Sequence, residues 1–148
     1  MSAPLFKGLE RATAGESVAL RDVLDALQFT DDGLIPAIAQ RHDTGEIAMV
    51  GYMNRATLEE TLNTGRVCYF SRSRKRVWRK GEESGNVQLL RELRIDCDGD
   101  ALLLTVEQTG PACHTGQRGC FYLKVDGDRV TVTDAPERSP EDMYRSAD

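Results

Sequence analysis

Between Val87 and Cys97 the chain alternates more strictly than anywhere else, and that run commits it to a fold built around a sheet. Positions 87, 89, 93, 95 and 97 are apolar or Cys, while 88, 92, 94 and 96 are Gln, Glu, Arg and Asp. Period two sends successive side chains to opposite faces, so the pattern describes a strand buried on one side. Leu90 and Arg91 break the alternation, and a bulge is expected there. Residues 101–108 read as the next strand. Earlier, 34–40 and 46–53 read as two strands around a polar turn, Arg41-His42-Asp43-Thr44-Gly45. Residues 67–70 and 77–79 are short strands joined by the polar link 71–75. Residues 121–125 and 129–133 form a hairpin around Asp126-Gly127-Asp128.

Two short helices complete the pattern. One follows Ser17 as a candidate cap, with Leu20, Val23, Leu24 and Leu27 on one face. The other starts at Asn54, turns Leu58 and Leu62 inward and closes on Gly65. The expected fold class is therefore α+β, mainly β, a mostly antiparallel sheet with two short helices. A chain of 148 residues has room for one core. We expect a flexible N-terminal arm over 1–16, a single domain over 17–133 and a disordered tail over 134–148. Charged residues from Lys7 to Asp22 interrupt any signal-peptide core, and a cytoplasmic location is expected. A net charge of -5 argues against a surface made to coat nucleic acid or a membrane.

Three segments carry chemistry. The first is Asp96-Cys97-Asp98-Gly99-Asp100. If the strand runs on to residue 100, Cys97 faces one way and Asp96, Asp98 and Asp100 the other. Three carboxylates on one side repel unless a cation sits among them, and oxygen ligands suit a hard ion such as Mg²⁺. The same string also reads as a solvated acidic turn. The second is Cys113-His114-Thr115-Gly116-Gln117-Arg118-Gly119-Cys120. With Cys97, its two cysteines make three thiolates, the pattern of a zinc that keeps a position open for water. A closed structural zinc using His114, or three buried free thiols, are the other readings. His114 beside such a site can move a proton. Cys68 reads as packing and His42 as surface.

The third segment runs from Ser71 to Gly85. Six cations, Arg72, Arg74, Lys75, Arg76, Arg79 and Lys80, lie within nine residues and surround Trp78, the only tryptophan. Arg and Lys hold phosphates through charge-assisted hydrogen bonds, and an indole face can stack on a base. A charged hairpin with a half-buried Trp is the plain reading, and a zinc-stabilised module binding RNA through 72–80 is the rival one.

In this order the segments resemble the phosphoribosyl-AMP cyclohydrolase family. The matching strings are Gly-Tyr-Met-Asn at 51–54, Phe-Ser-Arg-Ser-Arg at 70–74, Val-Trp-Arg-Lys-Gly-Glu at 77–82, Ser-Gly-Asn-Val-Gln at 84–88, Asp-Cys-Asp-Gly-Asp at 96–100, Cys-His-Thr-Gly at 113–116 and Cys-Phe-Tyr at 120–122. They extend from about residue 34 to 124. Gly119 departs from the family, which usually has Ser there. The resemblance implies hydrolysis of the N1–C6 bond in the adenine ring of N1-(5-phosphoribosyl)-AMP, a step of histidine biosynthesis. It implies a barrel-like fold in an intertwined homodimer with active sites at the interface. It implies one zinc per subunit, held by Cys97 of one chain with Cys113 and Cys120 of the other, and Mg²⁺ on Asp96, Asp98 and Asp100. A zinc-activated water would add to C6, with His114 shuttling protons. Arg72, Arg74, Arg79 and Lys80 are the phosphate candidates, with Trp78 and Ser84 as further contacts to the nucleotide. Neither nucleic acid nor membrane is an expected partner. A zinc deaminase is the other enzyme class considered, but its His/Cys-x-Glu and Pro-Cys-x-x-Cys strings do not occur. The chain is expected to act as a stand-alone cyclohydrolase.

Overall fold

The structure is a computed structural model and describes residues 3–145. Four strands form its main sheet. Strand β1 (Ile35–Arg41) pairs antiparallel with β2 (Ile47–Met53) through the expected polar turn. Strands β5 (Gln88–Ile95) and β6 (Leu102–Gln108) form a second antiparallel pair. β6 then lies parallel to β1, giving the order β2-β1-β6-β5. β1 and β6 are the central strands and bury every second residue: Ile35, Ala37 and Ala39 on one, Leu102, Leu104 and Val106 on the other. The sheet is therefore mixed, and it is open. It does not close into the expected barrel, because β2 and β5 remain its edges while β3 (Cys68–Ser71) and β4 (Arg76–Arg79) pair with each other as a separate hairpin.

The bulge in β5 falls where the sequence breaks its alternation, with the register shifting between Leu90 and Glu92. It also reverses the parity of the faces. Gln88 and Leu90 turn inward before it, Leu93 and Ile95 after it, and Leu89 is left exposed. Reading 89 and 93 as one face is thus corrected. Buried Gln88 accepts a hydrogen bond from Tyr69 Oη at 2.7 Å and donates one to Gln108 at 2.7 Å. Tyr69 in turn packs so closely on Gly51 that a Cβ there would lie 2.7 Å from its ring.

Helix α3 (Arg55–Thr64) matches the sequence reading closely. Asn54 accepts from the Thr57 N–H and Thr57 Oγ1 accepts from the Asn54 N–H, a reciprocal cap that contributes about 1 kcal/mol. Leu58 is fully buried, and Gly65 closes the helix at φ 77°. Helix α2 (Leu20–Ala26) also forms, but Ala19, not Ser17, precedes it, and Leu20 is exposed. Two further helices lie where no period was legible. In α1 (Pro4–Leu9), within the expected arm, Phe6 is buried in the core. In α4 (Pro140–Arg145), within the expected tail, Met143 is buried. Positions 1–2 of that arm and 146–148 of that tail lie outside the described residues. The hairpin β7 (Leu123–Asp126) and β8 (Arg129–Val132) forms around Gly127 as expected, with all eight residues exposed. Among the described residues no helix is long and apolar enough to cross a membrane.

Candidate active site

The loop from Gly110 to Cys120 is fastened to the edge of the main sheet. Arg41, at the inward end of β1, is 5% exposed and donates to the carbonyls of Gly110 (3.1 Å) and Arg118 (2.9 Å). Burial lowers its pKa, and neighbouring Arg118 lowers it further. The Cys120 N–H donates to the Ala48 carbonyl at 2.8 Å, so β2 also holds the loop. Gly119 lies where a Cβ would sit 3.1 Å from the Ile47 carbonyl oxygen. The glycine that departs from the family pattern thus lets the loop lie close along β2. Arg41 escaped the sequence reading, although a charged residue at an inward position of the 35-37-39 alternation was a usable signal.

This loop brings Cys113 and Cys120 to the wall of one cavity, near enough for Cys113 to raise the Cys120 pKa. Thr115 Oγ1 donates to Cys113 Sγ at 3.1 Å. Burial, then the neighbouring Cys113, pushes the Cys120 thiol up to about 12, although the residue as a whole is exposed. Lys80 lies opposite, 6% exposed and 5.6 Å from the Trp78 ring centroid. Burial lowers its pKa and the two cysteines act against that shift.

These side chains line one cavity of about 690 Å³. From the expected site it gathers Cys113, His114 and Cys120 with Arg74, Trp78, Lys80 and Ser84. Arg76, one of the six cations of the basic segment, joins them, as do residues not named as contacts from the sequence, among them Met49 and Asn86 from the body of the domain and Tyr144 from α4. Ser139-Pro140-Glu141-Asp142 was the available signal for α4: Ser139 Oγ accepts from the Asp142 N–H at 3.1 Å, with proline in the first turn.

Two of the expected phosphate contacts stand elsewhere. Arg79 makes a two-pronged contact with Glu60 of α3 at 2.9 Å, which holds the Glu60 carboxyl below its ordinary range. Arg72 lies 4.0 Å from the Tyr52 ring centroid, in a second cavity of about 490 Å³ that shares Ser71 and Trp78 with the first. Cys68 is fully buried, and burial followed by Glu60 pushes its thiol up to about 12, in keeping with packing.

The acidic segment occupies the β5–β6 turn. β5 ends at Ile95, so the strand does not carry its alternation to residue 100 as expected. Gly99, at φ 72°, and Asp96, whose Oδ1 accepts from the N–H groups of Asp100 (2.9 Å) and Ala101 (3.2 Å), curl the backbone instead. Asp96, Cys97, Asp98 and Asp100 are all exposed on this turn. Burial works against ionising Asp96, but hydrogen bonds from the Asp100 side chain and from backbone N–H groups outweigh it and lower its pKa. Asp100 is pushed the other way, chiefly by its hydrogen bond with Asp96. A thiol pair suits a soft or borderline ion such as zinc, and a close carboxylate pair suits a hard one. Among the described residues, no three His, Cys, Asp or Glu side chains come together around a common metal position.

The phosphoribosyl-AMP cyclohydrolase family model matches residues 49–122. The chain is 59% identical over 140 residues to the phosphoribosyl-AMP cyclohydrolase of Alcanivorax borkumensis, covering 95% of this chain and 99% of that one. It is 61% identical over 140 residues to that of Alkalilimnicola ehrlichii, with the same coverage. It is 59% identical over 139 residues to that of Chromohalobacter salexigens, covering 94% of this chain and 95% of that one.

Proposed function

The chain belongs to the phosphoribosyl-AMP cyclohydrolase family, and from that premise we propose that it hydrolyses the N1–C6 bond of the adenine ring in N1-(5-phosphoribosyl)-AMP, in histidine biosynthesis. The observation that carries the reading is the single cavity in which Cys113, His114 and Cys120 meet Trp78, Arg74 and Lys80. Water's oxygen bonds to C6, the C6–N1 bond breaks, and N1 takes a proton. C6 becomes the carboxamide carbon and N1 the formimino nitrogen. Trp78 offers an indole face to the purine. Arg74, Lys80 and the neighbouring Arg76 supply positive charge for the phosphates. His114, exposed and lining the cavity with the two cysteines, takes a proton from the attacking water and returns one toward N1.

Zinc, when held by Cys113 and Cys120 with Cys97 of a second copy, supplies the Lewis acidity that makes water nucleophilic near neutral pH. Asp96, Asp98 and Asp100 would hold Mg²⁺, which would relieve their mutual repulsion. Two observations support a homodimer. Cys97 is exposed on the acidic turn, apart from the two-thiol cavity. The β7–β8 hairpin exposes Leu123, Val125, Val130 and Val132, each 60% or more, an apolar surface that a second copy would cover.

The test is an absorbance assay of ring opening with purified protein, Zn²⁺, Mg²⁺ and phosphoribosyl-AMP, run beside Cys113→Ala. Turnover by the wild type and not by the variant upholds both the reaction and the thiolate site. A wild type inert with both metals would refute it and turn attention to RNA binding by residues 72–80.

A further inference from the structure

We propose that residues 134–145 are a built wall of the nucleotide cavity and that Tyr144 is a binding residue in it. The inference rests on the reading of that cavity given above. The segment lies wholly outside the stretch matched by the family model, 49–122, and the sequence offered it only as a tail. In the structure it is strapped across the cysteine loop. The Glu137 N–H donates to the Gly116 carbonyl at 2.8 Å, Gln117 Nε2 donates to the Asp134 carbonyl at 2.7 Å, and Arg118 pairs with Glu137 at 3.5 Å. Gly116, at φ 88°, has the Arg138 carbonyl where a Cβ would stand, so the strap needs glycine there.

Past the strap, α4 turns Met143 into the protein, where it is 1% exposed and accepts a hydrogen bond from Asn86 Nδ2 at 3.1 Å. With Met143 as the anchor, Pro140 and Tyr144 are set along the cavity shared with Trp78, Cys113 and His114. Tyr144 remains 42% exposed, unlike its anchoring neighbour. An aromatic ring held at a cavity wall with its surface still available has the chemistry for contact with a purine or ribose.

The experiment compares wild type, Tyr144→Ala and Tyr144→Phe in steady-state kinetics and thermal melts. We expect Tyr144→Ala to raise KM roughly five- to 150-fold, the range of one lost aromatic contact to a base. Its kcat should stay within about twofold, its melting temperature should match wild type, and Tyr144→Phe should restore most of the KM. An unchanged KM in Tyr144→Ala would overturn the proposal, as would a fall in kcat and melting temperature without a rise in KM. Should the wild type fail to turn over, that failure belongs to the cyclohydrolase reading. The wall is then judged by AMP titration of the emission of Trp78, the only tryptophan: weaker AMP binding in Tyr144→Ala supports it and equal binding overturns it.

Discussion

The acidic turn at 96–100 and the cysteine loop at 113–120 are built on the same device and set in opposite surroundings. Each turns on a glycine in the left-handed region, Gly99 at φ 72° and Gly116 at φ 88°. Each glycine is pressed by a terminal segment, Gly99 by the Phe6 ring of α1 and Gly116 by the Arg138 carbonyl before α4. The turn, however, holds its donors out to solvent at a hairpin tip, whereas the loop holds its thiols against a cavity with a buried lysine. Under the proposed function, the turn of one chain would present Cys97 to the cysteine loop of another.

The largest effect should break or confirm that division. Cys97→Ser and Cys113→Ser should each lose turnover by about 100-fold or more. Mixing the two inactive proteins under exchange should restore about one quarter of wild-type activity, because half the dimers are mixed and each retains one intact site. No recovery on mixing would mean the halves meet within one chain.

A second pair sharpens the role of the termini. Gly99→Ala and Gly116→Ala should each cost about 1–3 kcal/mol from backbone strain alone, read by denaturant melts. They should differ in kinetics. Gly116→Ala displaces the strap and raises KM, while Gly99→Ala disturbs the acidic turn and raises the Mg²⁺ concentration needed for half activity.

A third prediction concerns charge. Asp100 has its carboxyl pushed up by Asp96, so its ionised form at pH 7 is disfavoured in the fold relative to the unfolded chain. Asp100→Asn should raise the melting temperature of metal-free protein at pH 7 and remove its response to Mg²⁺. The gain should fade as pH falls below the carboxylate range, where the wild-type Asp100 is itself neutral.

The smallest effect separates the basic residues. Arg79→Ala should leave KM within about twofold, its guanidinium being engaged by Glu60, while Arg74→Ala, in the cavity, should raise it well beyond that. Equal effects from the two would return Arg79 to the substrate site.

The legible parts of this molecule are those fixed by local rules. Asn54 and Gly65 bracket α3, Asp126-Gly127-Asp128 turns the last hairpin, and the break at Leu90–Arg91 marks a bulge. The strings that carry the candidate chemistry were likewise visible. What escaped depended on contacts between distant residues. The bulge flips the faces of β5, so Gln88 and not Leu89 is buried, and the register against β6 had to exist before that could be seen. α1 and α4 are six residues each, too short to stand alone in water, and they form because Phe6 and Met143 find partners from elsewhere in the chain.

The sequence by itself determined that this chain makes a mainly-β domain with thiol, carboxylate and basic clusters, because composition and period are local properties. Only the tertiary structure decided which clusters share a cavity. Lys80 and Arg79 are neighbours in sequence, yet Arg79 ends β4 and reaches outward to Glu60, while Lys80, in the turn just past the strand, is buried beside Cys120, and only the packing around that turn sets which is which.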